Sequence, residues 1–233
     1  VAYSAKQSIS SIKKDMRDRY RIEPTHTTKK GGASTSEHIN RMNAAGEAIG
    51  NEIMTKLPVL RDKLKNLNDN NSSKVKMNVF LDDTVAPVGE RGGVLGYYQR
   101  MPDEMSANMR IGSRYANKKN DDLFPFAADL RNHNVALGYK AIVRHEYGHH
   151  VQLKLLDRDE SISWQNFYRE KIKQDNRYFE RHLSTYAATN HKEAFAEAFC
   201  AYTSPKYSKS KNHKLTKEIK DKLEELIGKR EDL

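Results

Sequence analysis

Cysteine is almost absent from this sequence, as are the features of a membrane protein or a secreted precursor. Cys200 is the only cysteine among the 233 residues, so no disulfide can form within the chain, which favours a reducing compartment or a fold without covalent cross-links. No apolar run approaches the roughly 20 residues of a membrane-spanning helix, and the N-terminus lacks a signal-peptide pattern. Because the sequence starts without methionine, it could also begin at a processing site. We therefore expect a soluble protein that is either cytoplasmic or secreted with its signal already removed.

Basic residues outnumber acidic ones, by 41 Lys and Arg to 31 Asp and Glu, for a formal net charge of +10. Such a charge permits attraction to nucleic acid, acidic proteins or anionic surfaces, but a solvated basic surface explains it equally well. The tail from Lys206 onward has no aromatic residues interleaved with its lysines beyond Tyr207, and it carries no nucleic-acid-binding motif. Its acidic and basic residues are mixed at helical spacing, which indicates a docked helix. We therefore do not expect a nucleic acid as the partner.

Hydrophobic periodicity divides the chain into three segments. Residues 1–33 predict a helix and a Gly/Thr/Ser-rich linker, and residues 205–233 predict a basic linker and an amphipathic helix. The segment between them, 34–204, predicts the main domain. It opens with a helix that Pro58 should interrupt near Leu57. Three strand patterns follow, in KVKMNVFLDD, VLGYYQRM and SANMRIGSRY, the last two as a possible hairpin, and helices dominate from about residue 135. This order predicts an α+β fold.

The stretch HEYGHH carries the first candidate chemistry. His145 and His149 are four residues apart, so on a helix they lie on one face and can bind one metal ion. Glu146 projects beside the same site, as in the HExxH pattern of zinc hydrolases, where it takes a proton from the metal-bound water. His150 points about 100° away on the helix and cannot join that metal. Gly148 costs helix propensity, which suggests that something packs closely against it.

A second helix supplies the missing ligand. Glu193 and Glu197 are four residues apart in HKEAFAEAFCAY, on one face of a helix otherwise built from Ala, Phe and Cys. One carboxylate can bind the metal, and the other can accept the second ring N–H of a ligating histidine. We prefer Glu193 as the metal ligand and Glu197 as the carboxylate that accepts the histidine N–H, although the spacing alone also permits the reverse. Upstream, Tyr186 in LSTYAATN could donate a hydrogen bond to an oxyanion, but a loop tyrosine is more often a packing residue.

HEYGHH and LSTYAATNHKEAFAEAFCAYTS together resemble the catalytic domain of anthrax lethal factor and its relatives, which are zinc metalloendopeptidases of the gluzincin type. A similar segment occurs in zincin-like domains of phage head-associated proteins. The resemblance covers roughly residues 141–204, about a quarter of the chain. It implies a zincin-like fold with a small twisted sheet, an edge strand at the cleft, a helix carrying HExxH and a mostly helical C-terminal part.

The same resemblance implies that this chain is a zinc-dependent metalloendopeptidase whose partner is a protein or peptide substrate, and it implies a role for each site residue. His145, His149 and Glu193 are the implied ligands of one Zn²⁺ per chain, with Glu146 as general base, Tyr186 as oxyanion stabiliser or proton donor, and Glu197 in support. Because the chain is far shorter than the full toxin and shows no delivery domain, toxin activity and substrates do not transfer. Two alternatives to a peptidase stay open: a phage virion or head-assembly protein whose zincin-like domain has secondary or no activity, and a secreted toxin effector. Either would imply a larger assembly or a delivery partner.

Overall fold

In a computed structural model, eight α-helices and four strands span the described residues, which are 8–27, 35–70, 76–82, 96–100, 106–112, 134–136, 138–209 and 215–233. The helices are α1 (Ile9–Tyr20), α2 (Thr35–Gly46), α3 (Pro58–Asn70), α4 (Tyr139–His150), α5 (Arg158–Gln174), α6 (Tyr178–His182), α7 (His191–Thr203) and α8 (Lys217–Ile227). The strands are β1 (Ile22–Thr27), β2 (Lys76–Asp82), β3 (Gly96–Arg100) and β4 (Ser106–Gly112).

Polar side chains cap several of these helices where the sequence changes from loop to helix. The Ser8 and Thr216 hydroxyls accept hydrogen bonds from backbone N–H groups in the first turns of α1 and α8. Asp157 and Glu160 form a reciprocal capping box at the start of α5, which satisfies two backbone donors that would otherwise lack a helical partner. Local chemistry therefore sets the starts of these three helices.

Two helices continue as π-helical turns. The first π-helical segment, Glu47–Met54, follows α2 directly, and α3 then begins at Pro58, which confirms the interruption predicted near Leu57. The second segment, Val151–Leu155, follows α4, so the helix predicted to reach residue 156 loses its regular hydrogen bonding at residue 150. π-Helical turns are rare and often occur at functional sites.

The four strands pair in the order β1-β2-β4-β3. β1 is parallel to β2 and β2 to β4, whereas β3 pairs antiparallel with β4, which confirms the predicted hairpin. The three strands predicted from the sequence are confirmed. The sequence predicts a linker from Glu23 onward, directly after the first helix, and that prediction is wrong for residues 23–27, which belong to β1. Its segment is polar and contains Pro24, a residue that a sheet tolerates on an edge strand such as this one. Residues 28–34 and 210–214 of the two predicted linkers lie outside the described residues.

The predicted α+β fold class, with a zincin-like arrangement around a small twisted sheet and an edge strand at the cleft, is contradicted. Of the residues whose side chains are described, 74% are helical and 2% lie in strands. The paired strands are described by their backbone. α1 lies against β1, and α4 lies against β3 and β4, but the most extensive contact of α4 is with another helix, α7. The physical reason is that most apolar residues recur three and four apart along the chain, which buries them on helix faces. The protein is therefore predominantly helical.

One hydrophobic core joins residues from all three predicted segments. Ile12 and Met16 of α1 belong to it, and so do Leu223 and Ile227 of α8, all of them fully buried. The C-terminal amphipathic helix is thus docked by its apolar face, as its charge pattern predicts. At the centre of this core α4 packs along α7, with α5 and α8 also against α7. None of the helices in the described ranges combines the length and apolarity required to cross a membrane.

Candidate metal centre

The close approach of α4 and α7 depends on Gly148. A Cβ atom at this position would lie 3.0 Å from Ala196 Cα and 3.2 Å from Phe199 Cβ, tighter than side-chain contacts normally allow. The packing reason predicted for this glycine is therefore confirmed.

On the facing helix, the Asn190 side chain accepts hydrogen bonds from the backbone N–H groups of Lys192 and Glu193. This cap begins α7 at the point that brings the first turn of the helix beside the histidines of α4.

His145, His149 and Glu193 form a group that could hold a metal ion. Glu193 Oε2 lies 3.0 Å from His145 Nε2 and 3.2 Å from His149 Nε2, and all the ligating atoms lie within 4.8 Å of one another. The two imidazole rings meet edge to face, with their centres 5.0 Å apart. Both histidines are buried, and Glu193 is partly buried. The structure thus brings Glu193 beside two histidines, although His145 precedes it by 48 residues in the sequence.

The spacing of these donors suits a small tetrahedral ion. Ligands about 2.0–2.1 Å from a tetrahedral metal lie roughly 3.3 Å from one another, close to the two measured contacts with Glu193. A second observation comes from Glu146, whose Oε2 atom is buried and has no hydrogen-bond partner among the described residues. Such an atom costs about 1–3 kcal/mol, and more if it is charged, unless a further molecule satisfies it. The residues therefore fit a metal centre with an acceptor beside it.

Glu197 holds His145 from the opposite side of the ring. Its Oε2 atom lies 2.9 Å from His145 Nδ1, while Oε1 accepts hydrogen bonds from Val135 N at 2.9 Å and Ser184 Oγ at 2.8 Å. The spacing of the two glutamates left their order open. The geometry places Glu193 beside the Nε2 atoms of His145 and His149, and Glu197 beside the Nδ1 atom of His145. A histidine bound in this way at both nitrogens has a fixed ring orientation, which favours metal binding.

Tyr186 lies against the same histidine. Its ring stacks on that of His145 with a centroid distance of 5.5 Å and an interplanar angle of 14°. Burial raises the pKa of the Tyr186 phenol, and the nearby carboxylates of Glu193 and Glu146 raise it further. The phenol therefore keeps its proton at neutral pH and is able to donate a hydrogen bond into the site.

Burial and charge act in opposite directions on the other ionisable groups. Burial raises the pKa of Glu146, against the opposing effect of His145 and His149. For His145, burial lowers the pKa, but hydrogen bonds to Glu193 and Glu197 outweigh it and leave the pKa well above its usual value. For Glu193, burial is likewise outweighed by the hydrogen bonds to both histidines, so its pKa is lowered. Of these two carboxylates, Glu146 is thus the one that accepts a proton more readily.

His150 is not part of the metal-binding group, as its position on the helix predicts. It is 4% exposed, and its ring lies 5.5 Å from that of Tyr147. Burial lowers its pKa to about 3, so the folded protein holds this histidine neutral. His150 therefore belongs to the packed side of α4.

Acid should destabilise the protein through His150. Because its pKa is about 3 when folded and 6.5 in its reference state, the unfolded chain binds more protons between these values, and stability rises with pH across that window. We expect His150→Gln to reduce this slope by up to about 1.4 kcal/mol per pH unit. The measurement is urea unfolding of the metal-free protein between about pH 4.5 and 7. His182→Gln is the control, because His182 is only partly buried and should change the slope less. Equal slopes for wild type and His150→Gln would contradict this assignment.

Sequence reasoning missed the residues that support the ligands. Ser184 and the backbone of Val135 bind Glu197, and Arg144 binds both Glu52 and the carbonyl of Cys200. The only local signal was a serine two residues before Tyr186, at the start of a turn. Val135 and Ser184 lie 62 and 13 residues from Glu197, and Glu52 lies 92 residues from Arg144, so no spacing rule connects these pairs.

No protein-family model and no curated protein matches this chain. The resemblance to the anthrax lethal factor catalytic domain therefore stays a prediction that depends on HEYGHH and the EAFAEAF helix. The metal-binding group stands independently, because its three donors are adjacent in space.

Proposed function

We infer that this protein is a zinc-dependent endopeptidase. The observation that carries the proposal is the position of Glu146, a buried carboxylate with an unpartnered oxygen, next to three donors that could hold one metal ion. A metal with an adjacent proton acceptor is the basic requirement for activating water against a peptide bond. The HExxH and EAFAEAF motifs of the resemblance support the same chemistry.

The donor set favours zinc. Two imidazole nitrogens and one carboxylate oxygen are the ligands of many catalytic zinc sites, whereas Ca²⁺ and Mg²⁺ prefer oxygen ligands alone. Structural zinc sites are closed by four protein ligands, usually with cysteine. Among the described residues the group has three members and no cysteine. This count supports a catalytic metal over a structural one, and so a peptidase over an assembly protein with a purely structural domain.

Each side chain has a distinct role in the proposed reaction. A bound zinc ion would supply Lewis acidity, which lowers the pKa of water and polarises a carbonyl group. Glu146 accepts the proton of the attacking water and delivers it to the leaving amine, a task that suits a carboxylate whose pKa is raised by burial. Tyr186 donates its phenolic hydrogen towards the developing oxyanion. Glu197 keeps the ring of His145 in place.

The test combines metal analysis with a peptide library. We expect about one zinc per chain and cleavage products detectable by mass spectrometry, with activity lost on chelation and restored by zinc but not by calcium or magnesium. Chelation followed by mock addition controls for irreversible damage. A zinc-loaded, folded protein that cleaves nothing in a diverse library would contradict the proposal and favour a binding or assembly role.

A further inference from the structure

Ser184 occupies a fully buried position between α6 and the turn that carries Tyr186. Its backbone N–H donates a hydrogen bond to the carbonyl of Phe179, which attaches it to the end of α6. Its hydroxyl faces α7 rather than solvent. A buried hydroxyl stays in a protein at low cost only where its hydrogen bonds are made, so its partners indicate what it does.

The hydroxyl makes two hydrogen bonds of fixed direction. Its oxygen accepts from Ala187 N at 3.0 Å, because a backbone N–H can only donate. It donates to Glu197 Oε1 at 2.8 Å, an oxygen that also accepts from Val135 N. The same hydroxyl therefore connects the turn after α6 to the carboxylate that holds His145.

On the Glu197 side, this contact fixes the carboxylate. Oε1 accepts from both Ser184 Oγ and Val135 N, which leaves Oε2 directed at His145 Nδ1, 2.9 Å away. The Nδ1 atom of His145 thus faces Glu197, and its Nε2 atom is turned towards the metal-binding group, 3.0 Å from Glu193 Oε2. Without Ser184, Val135 N would be the only one of these two donors left at Oε1, so the carboxylate and the imidazole that it contacts would be held less firmly.

On the turn side, the contact positions Tyr186. Ser184 binds the N–H of Ala187, one residue beyond Tyr186, and the carbonyl of Tyr186 accepts hydrogen bonds from Thr189 N and Oγ1. The peptide group that follows Tyr186 is thus held at both its N–H and its carbonyl. Its ring reaches back to stack on His145, the residue that Glu197 orients.

We propose that Ser184 is a positioning residue that fixes, through one hydroxyl group, both the carboxylate of Glu197 behind His145 and the turn that carries Tyr186. Its effect on metal affinity depends only on the metal-binding group. Its effect on turnover also rests on the proposed peptidase function, because Tyr186 acts there. The two effects are separable by experiment.

The first test measures zinc affinity by competition with a chromophoric chelator. We expect Ser184→Ala to weaken zinc binding about tenfold, the lower end of the effect of removing an outer partner of a metal ligand. Ser204→Ala is the matched control, because Ser204 is equally buried and accepts a backbone N–H, from Lys206, without touching Glu197. It should leave the affinity within about twofold of wild type. Equal affinities for Ser184→Ala and wild type would overturn the proposal.

A double-mutant cycle tests whether Ser184 acts through Glu197. In a Glu197→Ala background, Ser184→Ala should cause no further loss of zinc affinity, because the carboxylate it positions is gone. A second loss of about tenfold in that background would overturn the proposal. Should Ser184→Ala fail to fold, Ser184→Cys keeps the size of the side chain with a weaker donor. It is expected to lose affinity in the same direction, and wild-type affinity would count against the proposal.

Turnover provides the readout for Tyr186. With zinc at saturation, Ser184→Ala should lower kcat by about tenfold with KM unchanged, because the phenol acts on the oxyanion rather than on bound substrate. Ser204→Ala should keep both constants. An unchanged kcat would overturn the part of the proposal that concerns the turn. If wild type binds zinc but cleaves no peptide, the peptidase function fails, and the affinity measurements still decide the role of Ser184 at Glu197.

Discussion

Replacing Glu146 by alanine is expected to abolish detectable peptide cleavage while the protein keeps about one zinc per chain. Glu146 lies outside the metal-binding group, so the three ligands are untouched. General acid–base groups typically contribute 10²–10⁴-fold, so we expect kcat/KM to fall by at least about 100-fold. Peptide cleavage is measured by mass spectrometry of the library products. Elemental analysis of the same sample measures the zinc content per chain.

The same substitution should not reduce stability. Burial raises the pKa of Glu146, so the folded protein disfavours its charged form, and removing it relieves that cost. Glu146→Gln, which keeps the shape of the side chain, is the control for altered packing and should be equally inactive. Lower activity accompanied by lower stability would indicate a structural carboxylate, and cleavage equal to wild type would rule out Glu146 as the base.

Replacing Arg144 by methionine should cost about 3–5 kcal/mol of unfolding free energy. Arg144 is fully buried on α4, where Nη1 lies 2.7 Å from Glu52 Oε2 of the first π-helical segment and Nε donates to the carbonyl of Cys200 on α7. Methionine keeps much of the packing of the side chain but leaves Glu52 as a buried charge without its closest partner. Lys140, 3.6 Å from Glu52, compensates in part, so we expect the lower end of the range. Urea unfolding at pH 7 measures the loss.

Two further variants separate charge from packing. Adding Glu52→Gln to Arg144→Met should recover stability, because no uncompensated charge stays buried. Arg177→Met removes an exposed ion pair with Glu180, whose side chains are 45% and 23% exposed, and should cost less than about 1 kcal/mol. A loss below about 1 kcal/mol for Arg144→Met, or a double variant no more stable than the single one, would contradict this account.

The ligands of the candidate site could be predicted from local spacing. His145 and His149 share a face of α4, and Glu193 and Glu197 share a face of α7, because four residues make about one helical turn. The spacing could not decide which glutamate meets the Nε2 atoms. That depends on the relative height of the two packed helices, which is set by contacts such as the one that Gly148 permits with Ala196.

The fold class could not be predicted with the same success. Alternating residues correctly marked β2, β3 and β4, but strand patterns say nothing about how much of the core the strands supply. β1 was missed because a polar segment with Pro24 becomes a strand only when β2 is available to pair with it. Long-range contacts also explain why Ser184 and Glu52 escaped notice. Each is an ordinary polar residue locally and gains its role from a partner on another helix.

The metal-binding group has a consequence for the entropy of the chain. A metal ion bound to His145, His149 and Glu193 would join α4 to α7 and close a loop of 48 residues. A covalent bridge across such a loop restricts the unfolded chain by about 4 kcal/mol on the chain-entropy account. A protein with a single buried cysteine has no disulfide to provide this restriction. A metal that binds the folded chain in preference to the unfolded one would stabilise the fold by mass action instead, so the stability of the fold would depend on the supply of the ion.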